Sequence, residues 1–425
     1  MIHFTNTYEN FLQKNYSIFK KENLEKCFKK VLEERNSNFS GYYDLPFKNN
    51  QEIFNYLNHN ADFLDSIHNI IVIGIGGSSL GTKAIDTLLS HQNNRKKIKL
   101  RFLEHTDTIM IEKDLHRIKY QNTLFIVISK SGLTIETLSL FKYVLAKFSL
   151  LNKNRKQHLV AVTDSNSPLH QWCLQEQIQA ITISPNIGGR FSVLSAVGLL
   201  PLAILGYDIQ KILQGAKQIS DDFFINRKKD ILKKAFFLAS NETTYPINVL
   251  FSYSSAFVHF NAWYMQLWGE SLGKLDKNLQ KRGLTPIALI GSIDQHSFLQ
   301  LILQGPTNKT ITFLNVENLS QKPLYIPNIS LKGLEETDFV NQTSFNQLLK
   351  LQCLSTKESI ISENVPVDSI TLNTLNETSV GALVFYYELL TSCVGILLQV
   401  DTYNQPGVEL GKKILREKFT HSAFF

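Results

Sequence analysis

Between residues 70 and 185, short β-rich apolar runs alternate with stretches of helical periodicity, the pattern of parallel strands joined by crossover helices. The spacing predicts strands at Ile70 to Gly76, Lys99 to Glu104, Thr123 to Ser129, His158 to Thr163 and Ala180 to Ser184. A second alternating series predicts strands at Ile247 to Tyr253, Pro286 to Gly291 and Thr310 to Leu314, with another near Ser369 to Leu372. Ahead of the first series lies an amphipathic helical arm over residues 1–45. Asp208 reads as the N-cap of a helical connector, and the tail from Gly407 to Lys418 reads as a helix behind Pro406. The expected fold is α/β: two α-β-α sandwich domains with mainly parallel sheets, over residues 46–207 and 246–400. A connector over 208–245 joins them, and a C-terminal helix lies within 401–425.

Composition narrows the class. With 43% hydrophobic and 19% charged residues over 425 positions, the chain is globular, neither collagen-like nor largely disordered. The apolar stretches Val193 to Tyr207 and Gly381 to Val400 raise the question of a membrane. The first is short and contains Pro201 and the second carries Glu388, so buried core helices explain both and no membrane partner is expected. Cys27, Cys173, Cys353 and Cys393 form no CxxC pair, and the start Met1-Ile2-His3-Phe4 lacks the regions of a signal peptide. A reduced, cytoplasmic protein is the expectation. The net charge of +7 favours anionic partners. Runs such as Arg95-Lys96-Lys97 and Arg227-Lys228-Lys229 read as solvated faces, so nucleic acid is not expected.

Candidate chemistry gathers at strand ends. The first strand runs into Gly74-Ile75-Gly76-Gly77-Ser78-Ser79-Leu80-Gly81, whose glycines and helix-start N–H groups suit a phosphate. Glu104 lies near the distance at which a dinucleotide's ribose would be held, but the glycine spacing fails the G-x-G-x-x-G pattern. A tight turn that needs glycine for packing alone explains this segment equally well. At the third strand's end, Ser129-Lys130-Ser131-Gly132-Leu133-Thr134 brings hydroxyls and a lysine to the side of a parallel sheet where ligands bind. Helix capping accounts for one or two of these hydroxyls and leaves the cluster over. Arg190, behind Gly188-Gly189, is placed either to bind an anion or to pair with an acid across the domain interface. Further on, Glu270 sits between two glycines in what reads as a loop, and His296 follows a strand. Each fits acid–base work, and each is as a lone residue more often solvated or structural. No histidine pair has metal-ligand spacing, so no metal and no cofactor are expected.

Taken together these strings resemble the phosphoglucose isomerase family and its sugar-isomerase (SIS) domain fold, over about residues 70 to 412. The motifs that carry the likeness are Gly188-Gly189-Arg190-Phe191-Ser192 with Ser195-Ala196-Val197-Gly198, and Tyr403-Asn404-Gln405-Pro406-Gly407-Val408-Glu409-Leu410-Gly411-Lys412. The resemblance implies interconversion of an aldose and a ketose 6-phosphate through ring opening and a cis-enediol. It makes Glu270 the base that moves the proton between C2 and C1, puts Arg190 opposite the enediol oxygens, and gives ring opening to His296 and Lys412. It assigns the phosphate to Ser129, Lys130, Ser131 and Thr134 with Gly77 and Ser78 nearby, and sets Gln266 and Gln405 close to the sugar. It also implies a homodimer in which His296 crosses to the neighbouring subunit. Leu133 and Pro406 depart from familiar members, which often have threonine and tryptophan there, and the length is that of the shorter bacterial type. A non-catalytic sugar-phosphate sensor would need only the phosphate loops, and a nicotinamide-dependent oxidoreductase would rest on Glu104.

Overall fold

A computed structural model describes residues 2–5, 21–319 and 322–421. Strand β1 (Ile2–Thr5) opens the chain, and a helix over Lys21–Asn36 and a 3-10 turn over Gly41–Phe47 follow further on. Five strands then build the first sheet: β2 (Asn69–Ile73), β3 (Lys99–Leu103), β4 (Thr123–Ile128), β5 (Leu159–Asp164) and β6 (Gln179–Ile183). They run parallel in the order β3-β2-β4-β5-β6. Chain progression reverses between β2 and β4, so the crevice at the carboxyl ends of these two strands is where an open parallel sheet receives a ligand.

The second series gives β7 (Ile247–Ser252), the short antiparallel pair β8 (Lys274–Leu275) and β9 (Lys281–Arg282), then β10 (Thr285–Ile290), β11 (Lys309–Asn318) and β12 (Val367–Thr374). The larger sheet runs β1-β12-β11-β7-β10, parallel except for β1. Ile2–Thr5 falls within the segment read from sequence as a helical arm, yet it forms an antiparallel edge strand beside Ser369–Leu372. Four residues are too few for periodicity to reveal a strand whose pairing lies more than 360 positions away.

Both sheets are covered on both faces, which is why their strands read as nearly continuous apolar runs. All six residues of β4 are buried. Alternate residues divide between layers: Ile71, Ile73, Phe125 and Val127 pack outward against Leu140, Phe141 and Val144. Ile70, Val72, Leu124 and Ile126 face inward, and in the second sheet Leu250, Leu314 and Ile370 do the same. The inward faces share one core with a middle layer of helices. Its axis is the 22-residue helix Glu377–Leu398, opened by an Asn376–Ser379 capping box. Among the described residues it is the one helix long and apolar enough to cross a bilayer, and 94% of its apolar window is buried inside the fold. It crosses the helix Ile209–Phe224 backbone to backbone: a Cβ added at Gly381 would lie 1.9 Å from the Ile212 carbonyl oxygen.

Two charged groups in this layer contrast. Lys234 is buried but donates to Asp368 Oδ2 at 2.6 Å and Thr312 Oγ1 at 2.8 Å. Glu388 is fully buried, and neither carboxyl oxygen has a partner among the described residues. Burial pushes its pKa well above the usual carboxylate range. The sign follows: a carboxyl raised in the folded state adds stability only below its unfolded pKa of about 4.3, and this is lost as pH rises. Glu388→Gln should therefore raise the unfolding free energy by about 1 kcal/mol or more at neutral pH and by little near about pH 4. Denaturant titrations at the two pH values measure the difference, and an equal effect at both would remove ionisation of Glu388 as the cause.

Candidate active site

The site is assembled from segments far apart in sequence. After β2 the chain makes a 3-10 turn over Gly76–Ser78 before the helix Leu80–Leu89. Gly77 here meets a second glycine turn: a Cβ on it would fall 2.2 Å from the Gly189 carbonyl carbon and 2.8 Å from the Arg190 nitrogen. No other side chain permits this approach, so Gly77 holds the two loops in contact and thereby places Arg190.

Arg190 is 2% exposed, and every nitrogen of its guanidinium is engaged. Nε donates to Ser271 Oγ at 2.7 Å. Nη1 donates to Gln405 Oε1 at 2.9 Å and lies 3.4 Å from Glu270 Oε2. Nη2 donates to the carbonyls of Thr402 at 2.6 Å and Asn404 at 3.0 Å. Burial pulls its pKa down, while Glu270 and Asp401 act the other way. A five-donor fork matched to five acceptors is a task for arginine that lysine cannot perform.

Glu270 lies in the last turn of the helix Val258–Leu272, where sequence reading suggested a loop because Gly269 and Gly273 flank it. One turn earlier Gln266 donates to Glu270 Oε1 at 3.1 Å, so the carboxylate is held by Gln266 on one oxygen and faces Arg190 with the other. Its side chain is 36% exposed. It lines a cleft of about 770 Å³ together with Lys274, Asp401, Gln405 and Pro406. Gln266 Oε1 is buried with no donor among the described residues.

The hydroxyl-rich loop follows β4, next to β2 in the sheet. Ser129 Oγ donates to Thr134 Oγ1 at 3.2 Å, and Ser131 Oγ accepts the Leu133 N–H. Thr163 Oγ1 fixes the loop from below by donating to the Ser129 carbonyl at 2.7 Å. Lys130 is half-buried. Burial lowers its pKa, Asp164 opposes this, and the charge of Arg190 lowers it further. Leu133 is exposed, so the hydroxyl missing there leaves the loop's internal bonds untouched.

The structure thus brings Arg190, Glu270, Gln266 and Gln405 together, with Gly77 and Ser78 on the adjoining turn. It does not bring His296 or Lys412 to them. His296 is exposed at the end of the 3-10 turn Ile293–His296. Its neighbour Gln295 is anchored on Tyr253 and Thr356 at the far side of the second sheet. Lys412 is exposed on the helix Glu409–His421, paired with Glu409 at 2.7 Å. Among the described residues neither bonds to Arg190 or Glu270. Glu104 is held through Oε1 by Lys83 and by His105 at 3.5 Å. No group of three His, Cys, Asp or Glu among the described residues could hold a metal.

Sequence reading missed two elements. Lys274 donates to the carbonyls of Asp401 at 3.0 Å and Asn404 at 2.6 Å, pinning the turn that cradles Arg190. Burial, reinforced by Arg190, lowers its pKa to about 8. Behind the same turn the hydroxyls of Tyr43 and Tyr403 lie 2.9 and 2.8 Å from Glu34 Oε2, and Tyr403 reaches Ser392. Burial raises the Glu34 carboxyl, against the hydrogen bonds from both tyrosines. Nothing in the spacing around Lys274 marks it. Glu34 gives no local signal.

Fold and site define a sugar-phosphate-handling α/β protein of two mainly parallel sheets. Solved structures with this architecture include a glucose-6-phosphate isomerase from Chlamydia trachomatis (TM-score 0.76, 24% identity, 88% of this chain and 74% of that one) and a putative phosphosugar isomerase from Bacillus subtilis (0.53, 15%, covering 86% and 98%). A Thermus thermophilus structure described as a hypothetical protein superposes over 99% of this chain and 100% of its own, with TM-score 0.90 and 30% identity. The model of the phosphoglucose isomerase family matches residues 52–422, and the chain belongs to that family. Glucose-6-phosphate isomerase of Campylobacter jejuni is 43% identical over 391 residues, which are 91% of this chain and 94% of that one. A Thermus thermophilus enzyme of the same name is 31% identical over 93% and 94%.

Arg190→Lys should unfold about 2–4 kcal/mol more easily than the parent, because at least two buried acceptors lose their donor. Leu133→Ser should leave stability within about 0.5 kcal/mol. Denaturant midpoints test both, and an Arg190→Lys protein as stable as the parent would show that the five-bond cradle contributes nothing to the fold.

Proposed function

We propose that this chain is a glucose-6-phosphate isomerase, interconverting glucose 6-phosphate and fructose 6-phosphate, and thus serving glycolysis and gluconeogenesis. The observation that carries the reading is the Glu270 carboxylate, held by Gln266 and facing Arg190 in an open cleft of a phosphoglucose isomerase family member. In the forward direction Glu270 takes the proton from C2 as the C2–H pair shifts into a C1–C2 double bond and the aldehyde oxygen gains a proton. The enediol then takes the same proton back at C1, while the C2 hydroxyl releases its own proton, balancing the one gained at the aldehyde oxygen, and becomes the ketone. Arg190 faces the enediol oxygens and offsets their developing charge with its own. Being fully charged under all working conditions, it cannot neutralise the base by proton loss. The proton moves between carbons at a carboxylate, and this chemistry calls for neither a metal nor a nucleotide.

The phosphate is received by Ser129, Ser131, Thr134 and the Lys130 backbone, with Gly77 and Ser78 beside them at the reversal point of the sheet. Gln266 Oε1, buried without a donor among the described residues, accepts from a sugar hydroxyl, and Gln405 flanks it. Ring opening belongs to His296 and Lys412. Neither meets Glu270 within one chain, which supports a homodimer in which His296 is contributed across the interface. Leu410, Ile414 and Phe419 on the terminal helix and Leu324, Tyr325 and Phe339 before residue 345 are exposed, and apolar surface of this kind suits burial against a second copy. On this reading residues 46–207 and 246–400 are the two SIS domains, with 1–45, 208–245 and 401–425 as arm, connector and completing helix, and the protein works in the cytoplasm.

Purified protein should convert fructose 6-phosphate to glucose 6-phosphate at the same rate with and without a chelator, with exchange of the C2 proton in heavy water. Glu270→Gln should lower turnover at least about a hundredfold with little change in phosphate-ligand affinity. Full activity in that variant would remove Glu270 from its role. Mixing inactive Glu270→Gln with inactive His296→Ala chains should restore part of the activity. If hybrids form without recovery, each subunit works alone.

A further inference from the structure

At the opposite end of the first sheet from the sugar-phosphate crevice, the amino ends of β2 and β3 open onto a cavity of about 520 Å³. Lys97, Lys99, Arg101, Lys113 and Arg117 line it. No carboxylate does. None of these five cations is in an ion pair among the described residues, whereas neighbouring basic groups are matched: Arg95 with Asp86 at 2.8 Å and Lys96 with Asp65 at 2.9 Å. Set against a net charge of +7 for the whole chain, five unmatched cations around one concavity are a large local excess.

The fold explains why they converge. β3 is the edge strand, and its residues alternate: Leu100 and Phe102 turn to the shared core, which puts Lys99 and Arg101 on the other face. The helix Thr108–Leu115 packs beside that face, and Arg101 is steadied by donating to its Asp114 carbonyl at 2.9 Å. Leu115 and Ile118 anchor the following turn in the outer apolar cluster. Between them Arg117 adopts a left-handed backbone (φ 57°), a conformation that disfavours a residue with a long side chain. His68 and His116 complete the rim. The only large apolar residue in the lining is Ile118, and no Phe, Tyr or Trp side chain is present as a platform on which a base would stack.

We propose that this cavity is a second anion site, which binds an oligophosphate chain of three or more linked phosphates. A linear polyanion satisfies several cations on two facing elements at once, which a single phosphate cannot span. The shared chemistry is the chain itself, whether inorganic or the tail of a nucleoside triphosphate. The site lies about 16 Å from the sugar-phosphate crevice, the length of a five-residue strand, so both can be filled together.

The test is calorimetric titration of the full-length protein with sodium triphosphate in saturating fructose 6-phosphate at about 50 mM salt. The expected result is one site with Kd below about 1 mM, weakening as salt is raised, and much weaker binding of orthophosphate. The surface variant Lys99→Ala/Lys113→Ala/Arg117→Ala should lose at least about tenfold in affinity with isomerase KM and kcat unchanged. ATP binding as tightly as triphosphate would assign the tail of a nucleotide as the ligand, and weaker ATP binding would assign the inorganic chain. The proposal is overturned if triphosphate gives no heat up to about 10 mM, if fructose 6-phosphate displaces it, or if the triple variant binds it as the parent does. Single-stranded RNA that binds this groove and resists displacement by triphosphate would also overturn it.

Discussion

The cradle around Arg190 is the constraint from which the rest of the site follows. A guanidinium can be buried at 2% exposure only if its donors are met, and they are met by Ser271, Glu270 and Gln405 side chains and by the Thr402 and Asn404 carbonyls. These acceptors come from the end of one helix and from a turn some 130 residues later. Each has its own support. Lys274 pins the turn carbonyls, Asp401 accepts the N–H groups of Tyr403 and Asn404, and Gly77 fixes the loop that carries the arginine. Removing charge from such a site without its partners leaves buried groups unmatched, which is the costliest kind of change.

The two sheets serve the cradle in different ways. The first supplies the crevice, since the reversal between β2 and β4 leaves the glycine turn and the hydroxyl loop side by side at the carboxyl ends. The second repeats the plan, with β7 flanked by β10 and β11. Its contribution to the site is the Val258–Leu272 helix, which leaves β7 and crosses to the helix Leu80–Leu89 of the first sheet. The central Glu377–Leu398 helix then delivers the Thr402–Gln405 turn. Glu270, Gln266 and Gln405 therefore reach a crevice built mainly by the other half of the chain.

Much of this was legible in sequence, for physical reasons that differ between elements. The parallel strands announce themselves because burial on both faces demands unbroken apolar runs, so β4 was found within one residue. The loops after β2 and β4 were legible as strand-to-helix turns because glycine and hydroxyl clusters mark such junctions, although packing and helix capping explained part of each equally well. Glu270 was misplaced into a loop because glycine on both sides masks the helix, which tertiary packing stabilises despite propensity. β1 escaped because an edge strand of four residues depends on a distant partner. Lys274 and Glu34 escaped because their importance lies in which carbonyl or hydroxyl they meet, and no local pattern encodes that. Lys412 was singled out only through motif resemblance and His296 also as a lone histidine behind a strand, and within one chain both stand apart from Glu270.

The hydroxyl chain behind the Arg190 turn has a practical side. Glu34 belongs to the helix Lys21–Asn36 and Tyr43 to the turn Gly41–Phe47, yet both close on Tyr403, which sits between the two carbonyls that hold the arginine. The segment from Lys21 to Phe47 is therefore part of the support of the Arg190 turn without touching the guanidinium itself. A shortened form that begins at β2 would lose the edge strand β1 but keep the rest of both sheets and every motif, and would still have taken away the back wall of the Arg190 turn.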